Sequence, residues 1–137
     1  MNSNLVLQRQ QPLILLVDDN LDNLLLIIQI VQPFNCGLLT AENGRTALAL
    51  AQTERPDLIL LDIALPDVDG MTVAQELRRN PETSTIPIIA VTALAKPEDR
   101  EQILEAGCNE YLSKPYELEA LEALIQKYLG VREMGGE

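Results

Sequence analysis

The sequence has no histidine, no tryptophan and only two cysteines among its 137 residues. Without histidine, the chain cannot build a Ser-His or Cys-His nucleophile or an imidazole zinc site. Cys36 and Cys108 are far apart in sequence, so we expect two buried, small apolar side chains in a reducing compartment rather than a metal site. Any proton or phosphoryl chemistry must therefore use carboxylates, Lys, Tyr, Ser or Thr, or be supplied by another molecule.

Basic residues are scarce, because 10 Lys and Arg stand against 21 Asp and Glu, for a net charge of -11. Nucleic acids and anionic membrane surfaces are bound by clustered Lys and Arg, so we expect neither as a partner. No apolar run approaches the roughly 18 residues that a membrane span requires. The run Leu5, Val6, Leu7 is too short for the apolar core of a signal peptide. These features predict a cytoplasmic protein that does not bind membranes.

Short apolar runs alternate with helical patterns five times along the chain. Continuous apolar runs are typical of strands buried on both faces, and they lie at 13–17, 36–40, 58–61, 87–91 and 110–112. The helical patterns lie at 21–32, 45–53, 71–79, 98–106 and 117–129. Strands that alternate with helices predict a parallel sheet with helices on both faces. We therefore predict a doubly wound, five-stranded α/β domain with five helices at 12–130, flanked by loose tails at 1–11 and 131–137.

Polar side chains stand at the ends of four of the predicted strands. Asp18 and Asp19 follow the first strand, Asp62 the third, Thr92 the fourth and Lys114 the fifth. Open parallel sheets bind their ligands at the carboxyl ends of the strands. We therefore expect three carboxylates, one hydroxyl and one ammonium group to converge at one edge of the sheet.

The chemistry of such a cluster is specific. Three close carboxylates repel one another unless a cation joins them, and oxygen ligands without His or thiolate suit a hard divalent cation, Mg²⁺ best. Lys114 adds a positive charge, Thr92 has a hydroxyl that donates to a phosphoryl oxygen, and an aspartate can become an acyl phosphate. Each residue also has a simpler interpretation: Asp18, Asp19 and Asn20 as a helix cap, the others as strand ends or surface side chains. Their occurrence together favours a metal and phosphoryl site.

The motifs around these residues resemble those of response-regulator receiver domains of bacterial two-component signalling. The resemblance covers about residues 12–130 and rests on five ordered motifs: Val17–Asn20, Pro56–Asp62, Leu65–Gly70, Ile88–Ala93 and Tyr111–Pro115. It implies a flavodoxin-like sheet with the strand order 2-1-3-4-5.

The resemblance also implies a role for each carboxylate. Asp62 would be the phospho-acceptor. Mg²⁺, with Mn²⁺ as a possible substitute, would be bound by Asp19 directly, by Asp18 through water, by Asp62, and by the backbone carbonyl of Ala64.

The remaining motif residues would bind the phosphoryl group and carry the signal. Lys114 and Thr92 would contact the phosphoryl oxygens, and Thr92 with Tyr111 would form the switch. The Lys114–Pro115 peptide would be cis, which costs only about 0.5–1 kcal/mol for a proline. The changed surface would be the face made by the fourth helix, the fifth strand and the fifth helix.

The absence of histidine fits a donor that acts in trans. The resemblance implies that a phosphohistidine on a histidine kinase or a histidine phosphotransfer protein supplies the phosphoryl group. We expect no enzyme in the usual sense, only self-phosphorylation from a donor and self-dephosphorylation. Because the predicted tail at 131–137 is too short for an output domain, we expect a stand-alone regulator or a phosphorelay shuttle that acts through protein contacts.

Three alternatives remain to be tested. A pseudo-receiver would act as an interaction module without phosphorylation, although such proteins usually lack one of the five site residues. A Mg²⁺-dependent phosphatase of the haloacid-dehalogenase type would require a second acid two residues after the nucleophile, where Ala64 stands. A nucleotide-binding domain would require a glycine-rich loop after the first strand, where Asp18, Asp19 and Asn20 stand.

The first predicted helix is unusually apolar. Seven of the eight positions 24–31 hold Leu, Ile or Val, whereas a surface helix usually keeps part of each turn polar. Some of these side chains must face outward unless they are covered. They are either scattered surface apolar residues or a surface for the donor or for a second copy of the chain.

Overall fold

The computed structural model describes residues 11–93 and 96–130. These residues form five parallel strands in the order β2-β1-β3-β4-β5, with bounds β1 Leu13–Val17, β2 Gly37–Ala41, β3 Leu58–Asp62, β4 Ile88–Thr92 and β5 Glu110–Ser113. Five α-helices connect and follow them: α1 Leu21–Val31, α2 Gly44–Glu54, α3 Gly70–Arg79, α4 Pro97–Glu105 and α5 Leu118–Leu129. The predicted doubly wound, flavodoxin-like α/β fold is confirmed.

The sheet is covered on both faces, because alternate residues of each strand point to opposite sides. On one face α1 and α5 cover a cluster that includes Ile14, Leu16, Leu60 and Ile89. On the other face α2, α3 and α4 cover a cluster that includes Leu15, Ile59, Leu61 and Ile88. This two-sided burial explains why the central strands have no polar residue before their carboxyl ends.

The observed bounds differ from the predicted ones by at most one residue at each end. The α1 helix ends at Val31, and Pro33 lies inside a short 3-10 helix, Gln32–Phe34, rather than directly closing the α-helix. The second strand is shifted by one residue, to Gly37–Ala41, because Gly37 pairs with Leu13 in β1. The predicted tails at 1–11 and 131–137 lie outside the described residues except for Gln11, whose side-chain amide donates to Asn35 Oδ1 at 2.9 Å.

The two cysteines differ in burial. Cys108 is buried, and desolvation raises the pKa of its thiol to about 11. Cys36 is only partly buried, so the expectation of two buried thiols was wrong for this residue, which lies on the turn between α1 and β2. Among the described residues, no helix is both long and apolar enough to cross a membrane.

Candidate functional site

The predicted residues meet at the carboxyl edge of the sheet. Asp18 directly follows β1, Asp62 is the last residue of β3, and Lys114 directly follows β5. The Lys114 ammonium nitrogen Nζ lies 3.3 Å from Asp62 Oδ2 and 3.7 Å from Asp18 Oδ2. Both carboxylates are buried, so one lysine is the counter-ion of two acids that the sheet brings together.

Asp19 completes a cluster of three carboxylates. One oxygen atom from each of Asp18, Asp19 and Asp62 lies within 4.8 Å of the others, and Asp19 is the exposed member. Such a set of oxygen ligands fits Mg²⁺, which prefers carboxylates and keeps several waters. The exposed side of Asp19 leaves one flank of the cluster open to solvent, where those waters have room.

The electrostatic environment of Asp62 is unfavourable to its charged form. Burial raises the pKa of this carboxyl, the backbone N–H of Ala64 lowers it by donating to Oδ1 at 3.0 Å, the charge of Asp18 raises it, and Lys114 lowers it. The net direction is upward. A positive charge bound beside Asp62 would relieve this conflict, because it favours the ionised carboxylate.

Thr92 and the Lys114–Pro115 peptide border the same cluster. Thr92 is the last residue of β4 and is almost fully buried, and its carbonyl accepts a hydrogen bond from the Lys114 N–H at 2.7 Å. The Lys114–Pro115 peptide bond is cis. The site therefore draws on β1, β3, β4 and β5, whose carboxyl ends lie side by side.

Tyr111 has a partner that the sequence did not reveal. It is half-buried in β5, beside the α2, α3 and α4 side of the core. The guanidinium of Arg100 on α4 lies 4.7 Å from the centre of the Tyr111 ring, and its NH2 group donates to the Tyr111 hydroxyl at 3.1 Å. Nothing in the sequence pattern signals this pair, because it joins a surface position of α4 to an edge strand.

An apolar groove begins beside the cluster. A cavity of about 320 Å³ is lined by Asp18, Lys114, Leu26 and Tyr116, among others. A second, of about 430 Å³, shares Leu26 and Tyr116 and extends along α1 and α5 to Pro33. The neighbouring surface is apolar as well, since three leucines of α1 are more than half exposed, at 61%, 52% and 51%: Leu21, Leu25 and Leu26. The outward-facing apolar residues predicted for the first helix are therefore present.

Curated relatives have the same kind of domain. The chain is 40% identical over 117 residues to the polar-differentiation response regulator DivK of Brucella anthropi, an alignment that covers 85% of this chain and 95% of the relative. It is 38% identical over 117 residues to DivK of Brucella ovis, with the same coverage.

Solved structures agree with this relationship. The receiver domain of the sensor histidine kinase PA1611 from Pseudomonas aeruginosa, which has a magnesium ion coordinated in its active-site cleft, matches with a TM-score of 0.81 and 36% identity. The match covers 88% of this chain and 98% of that one. The Mn²⁺-bound form of the response regulator Rcp1 matches with a TM-score of 0.77 and 26% identity, over 91% and 99% of the two chains.

The family model agrees with both comparisons. The model of the response regulator receiver domain matches residues 14–126, which span β1 to α5 and include every predicted site residue. The chain therefore belongs to the response-regulator receiver domain family of two-component signalling.

Proposed function

We propose that the chain is a response regulator that accepts a phosphoryl group on Asp62 from a phosphohistidine donor. The observation that carries this proposal is the position of Lys114, whose ammonium group lies 3.3 Å from a buried Asp62 carboxylate oxygen. An aspartate with a raised pKa beside a fixed cation is suited to act as a nucleophile once its charge is balanced. Its only chemistry, in this proposal, is self-phosphorylation from a donor and self-dephosphorylation.

The transfer step is a displacement at phosphorus. An Asp62 carboxylate oxygen forms the new P–O bond as the P–N bond to the donor imidazole breaks, and the imidazole leaves with the electron pair and takes up a proton. The Lys114 ammonium group offsets the charge of the phosphoryl oxygens, which carry most of the developing charge, and the Thr92 hydroxyl donates a hydrogen bond to them. The Ala64 N–H, already bonded to Asp62 Oδ1 at 3.0 Å, orients the carboxylate so that Oδ2 faces Lys114.

Mg²⁺ is the cofactor that this site would take, with Mn²⁺ as a substitute. Asp19 would bind it directly and Asp18 through water, while Asp62 and the Ala64 carbonyl would complete the protein ligands. When bound, the ion supplies the positive charge that offsets both the carboxylates and the phosphoryl oxygens. The magnesium ion in the cleft of the related Pseudomonas receiver domain supports this assignment.

Thr92 and Tyr111 form the switch in this proposal. A phosphoryl group on Asp62 draws the Thr92 hydroxyl toward it, and Tyr111 moves into the space that Thr92 leaves. The face made by α4, β5 and α5 then binds a protein target. Phosphorylation thus biases an element that has two conformations, and the Arg100 contact with Tyr111 gives this chain a further restraint on one of them.

The apolar groove along α1 and α5 is the proposed docking surface for the donor. It begins at Asp18 and Lys114 and continues past Leu26 and Tyr116. A helix-bearing histidine kinase or histidine phosphotransfer protein that laid an apolar stripe over Leu25 and Leu26 would bring its phosphohistidine to Asp62. The groove reaches the site, which favours docking over scattered surface apolar residues.

Charge reversal on α1 tests this surface. Leu25→Glu and Leu26→Glu are expected to slow phosphotransfer from a phosphorylated histidine phosphotransfer protein that labels the wild-type chain. Labelling by acetyl phosphate, which needs no docking surface, is expected to stay unchanged in Leu25→Glu, because Leu25 does not line the cavity beside Asp18 and Lys114. Leu104→Glu is the matched control, because Leu104 is 42% exposed on α4. Equal protein-to-protein transfer in all three variants would contradict the docking proposal.

The alignment with DivK, a polar-differentiation response regulator, covers 95% of that relative, which supports a regulator of the same type. We propose a cytoplasmic regulator or phosphorelay shuttle of that type, with neither nucleic acid nor membrane as a partner. The acidic composition supports the choice of a protein partner.

Incubation with acetyl phosphate and Mg²⁺, followed by intact-mass measurement, tests the core of the proposal. We expect the wild-type chain to gain one phosphoryl group and Asp62→Asn to gain none. No gain in either protein would favour a pseudo-receiver that works as an interaction module. Repeated turnover of p-nitrophenyl phosphate would instead favour a Mg²⁺-dependent phosphatase.

A further inference from the structure

The loop at 63–69, between β3 and α3, contains Ala64, whose carbonyl is one of the proposed Mg²⁺ ligands, and is called the metal-side loop. It begins directly after Asp62 and includes Ala64, whose N–H donates to Asp62 Oδ1 at 3.0 Å. At its far end, Asp69 caps α3 by accepting from Met71 N–H at 2.8 Å. Any displacement of this loop therefore moves groups that surround Asp62.

Asp67, in the middle of this loop, is bonded to a different helix. Its Oδ1 accepts from the Gly44 N–H at 2.7 Å and its Oδ2 from the Arg45 N–H at 3.0 Å. These are the first two amides of α2, which the helix itself cannot satisfy. The Asn43 side chain accepts from the Thr46 N–H at 2.8 Å. The α2 terminus thus has a cap from its own segment and a second one from the metal-side loop.

The charge and the direction of these bonds suit each other. Gly44 and Arg45 present the positive end of an 11-residue helix to the Asp67 carboxylate. The hydrogen bond from Gly44 is the largest cause of the lowered pKa of Asp67. Charge-assisted bonds of this kind are about twice as strong as neutral ones, so two of them on one side chain fix the position of the loop.

Close packing between α2 and the loop also holds the loop in place. A Cβ atom at Gly44 would lie 2.9 Å from Val68 Cβ and 3.0 Å from Val73 Cγ2, too close for any side chain without a shift. At Gly70, a Cβ atom would lie 2.7 Å from the Asp62 carbonyl oxygen. The loop is thus packed against α2 at Val68 and against the end of β3 at Gly70.

We propose that Asp67 is a positioning residue for the metal site, acting through the loop that carries the Ala64 carbonyl. This inference rests on the proposed function, because it assumes that Mg²⁺ binds at Asp18, Asp19 and Asp62. Asp67 does not touch the ion in this proposal. It ties the loop to α2 so that the Ala64 carbonyl stays at the distance from Asp62 that one ion can bridge.

The dissociation constant for Mg²⁺, measured by calorimetric titration of the full chain without a phosphoryl donor, tests this role. Removal of groups that orient metal ligands typically lowers metal affinity roughly 10–100-fold. Because one ligand of several is affected here, we expect Asp67→Asn to raise the constant roughly three- to tenfold. Asp57→Asn is the matched control, since Asp57 also accepts a backbone N–H, from Leu13 at 2.8 Å, but at the opposite end of the sheet. We expect its constant to stay within about twofold of the wild type.

Gly44→Ala separates position from charge. It presses on Val68 and Val73 without removing a negative charge, so it is expected to weaken Mg²⁺ binding in the same direction as Asp67→Asn. Unchanged binding in Asp67→Asn would overturn the positioning role, as would equal weakening in Asp57→Asn. If Asp67→Asn weakens Mg²⁺ binding while a folded Gly44→Ala binds Mg²⁺ normally, the effect comes from the lost charge. That result would also overturn the positioning role. If the wild-type chain bound no Mg²⁺, the proposed metal site itself would be wrong. If the wild-type chain bound Mg²⁺ and was labelled normally, and Asp67→Asn bound Mg²⁺ equally well, only the positioning role would be refuted.

Discussion

The two ends of the sheet differ in how completely their charged side chains are paired. At the amino end, Arg78 of α3 reaches the start of β4 and β5 and donates to the carbonyls of Ser84, Ile86 and Gly107 at 3.0, 2.7 and 2.9 Å. Its NH2 group also donates to Asn109 Oδ1 at 2.8 Å, which in turn accepts the N–H of the first residue of β4 at 2.8 Å. One cation there is matched to four acceptors.

At the carboxyl end, three carboxylates share one cation among the described residues. Asp18, Asp19 and Asp62 are brought together with Lys114 as the only cation that the described residues place in contact with them. Burial and Asp18 both raise the pKa of Asp62. Polar groups at the amino end thus stabilise the fold, whereas the carboxylates at the carboxyl end are held together against their own repulsion.

The largest expected effect on stability is at the amino end. Arg78→Ala leaves several buried or half-buried acceptors without a donor, and we expect it to lower the free energy of unfolding by about 2–4 kcal/mol. Arg79→Ala is the control, because Arg79 makes only an exposed ion pair with Glu76 at 3.3 Å, worth less than about 1 kcal/mol. Urea unfolding measures both. Similar losses in the two variants would remove the special role assigned to Arg78.

At the carboxyl end, removal of a charge is expected to stabilise. Two like charges about 4 Å apart repel by about 1 kcal/mol in water and by more inside a protein. Asp62→Asn is therefore expected to raise the free energy of unfolding of the metal-free chain by about 1 kcal/mol at neutral pH, although it abolishes labelling. A loss of stability in Asp62→Asn would mean that this end is as well matched as the other.

The pH dependence gives this prediction its sign. Because the folded-state pKa of Asp62 is raised above its ordinary value of 3.8, the folded chain holds this proton more tightly than the unfolded chain. The contribution of Asp62 to stability is then most favourable at low pH and is lost as the pH rises through the folded-state pKa. The difference between Asp62→Asn and the wild type should therefore shrink on acidification, as measured by urea unfolding at several pH values. A difference that grew on acidification would contradict it.

The smallest expected effect concerns the edge of the site. Arg100→Ala removes an exposed contact with Tyr111 and is expected to cost only about 0.5–1 kcal/mol. It should nevertheless change the ring signals of Tyr111 in the NMR spectrum of the unphosphorylated protein, because the ring loses a restraint. Lys127→Ala is the control, since Lys127 lies 5.3 Å from the centre of the Tyr128 ring, on α5. Tyr111 signals that did not move would show that Arg100 does not restrain the switch.

The sequence predicted the sheet well because its strands are buried on both faces. The runs at Leu13–Val17 and Leu58–Asp62 have no polar interruption before their carboxyl ends, so their limits are visible in composition alone. The β2 strand was placed one residue early because Cys36 is an apolar residue just before the strand, whereas pairing with β1 decides where the strand begins.

The site residues were predictable from the limits of the strands, whereas the hydrogen bonds of Asp67 and Arg78 to other elements were not. Asp18, Asp62 and Lys114 stand where strands end, so the topology alone brings them together. Asp67 acts across 22 and 23 residues of sequence on two amides of α2, and Arg78 acts across 29 residues on the Gly107 carbonyl; no motif marks such contacts. Long-range bonds to backbone atoms depend on how helices are placed on the sheet, which the apolar pattern predicts only coarsely.

The charge of Lys114 determines which ion charge would balance the three carboxylates. Asp18, Asp19 and Asp62 contribute three negative charges and Lys114 one positive charge, which leaves two negative charges in ionised form. One divalent cation brings that group to neutrality, whereas a monovalent ion leaves it negative and a trivalent ion makes it positive. With the proposed Mg²⁺ bound, the site would be neutral, and a phosphoryl group that then arrived would add negative charge to it.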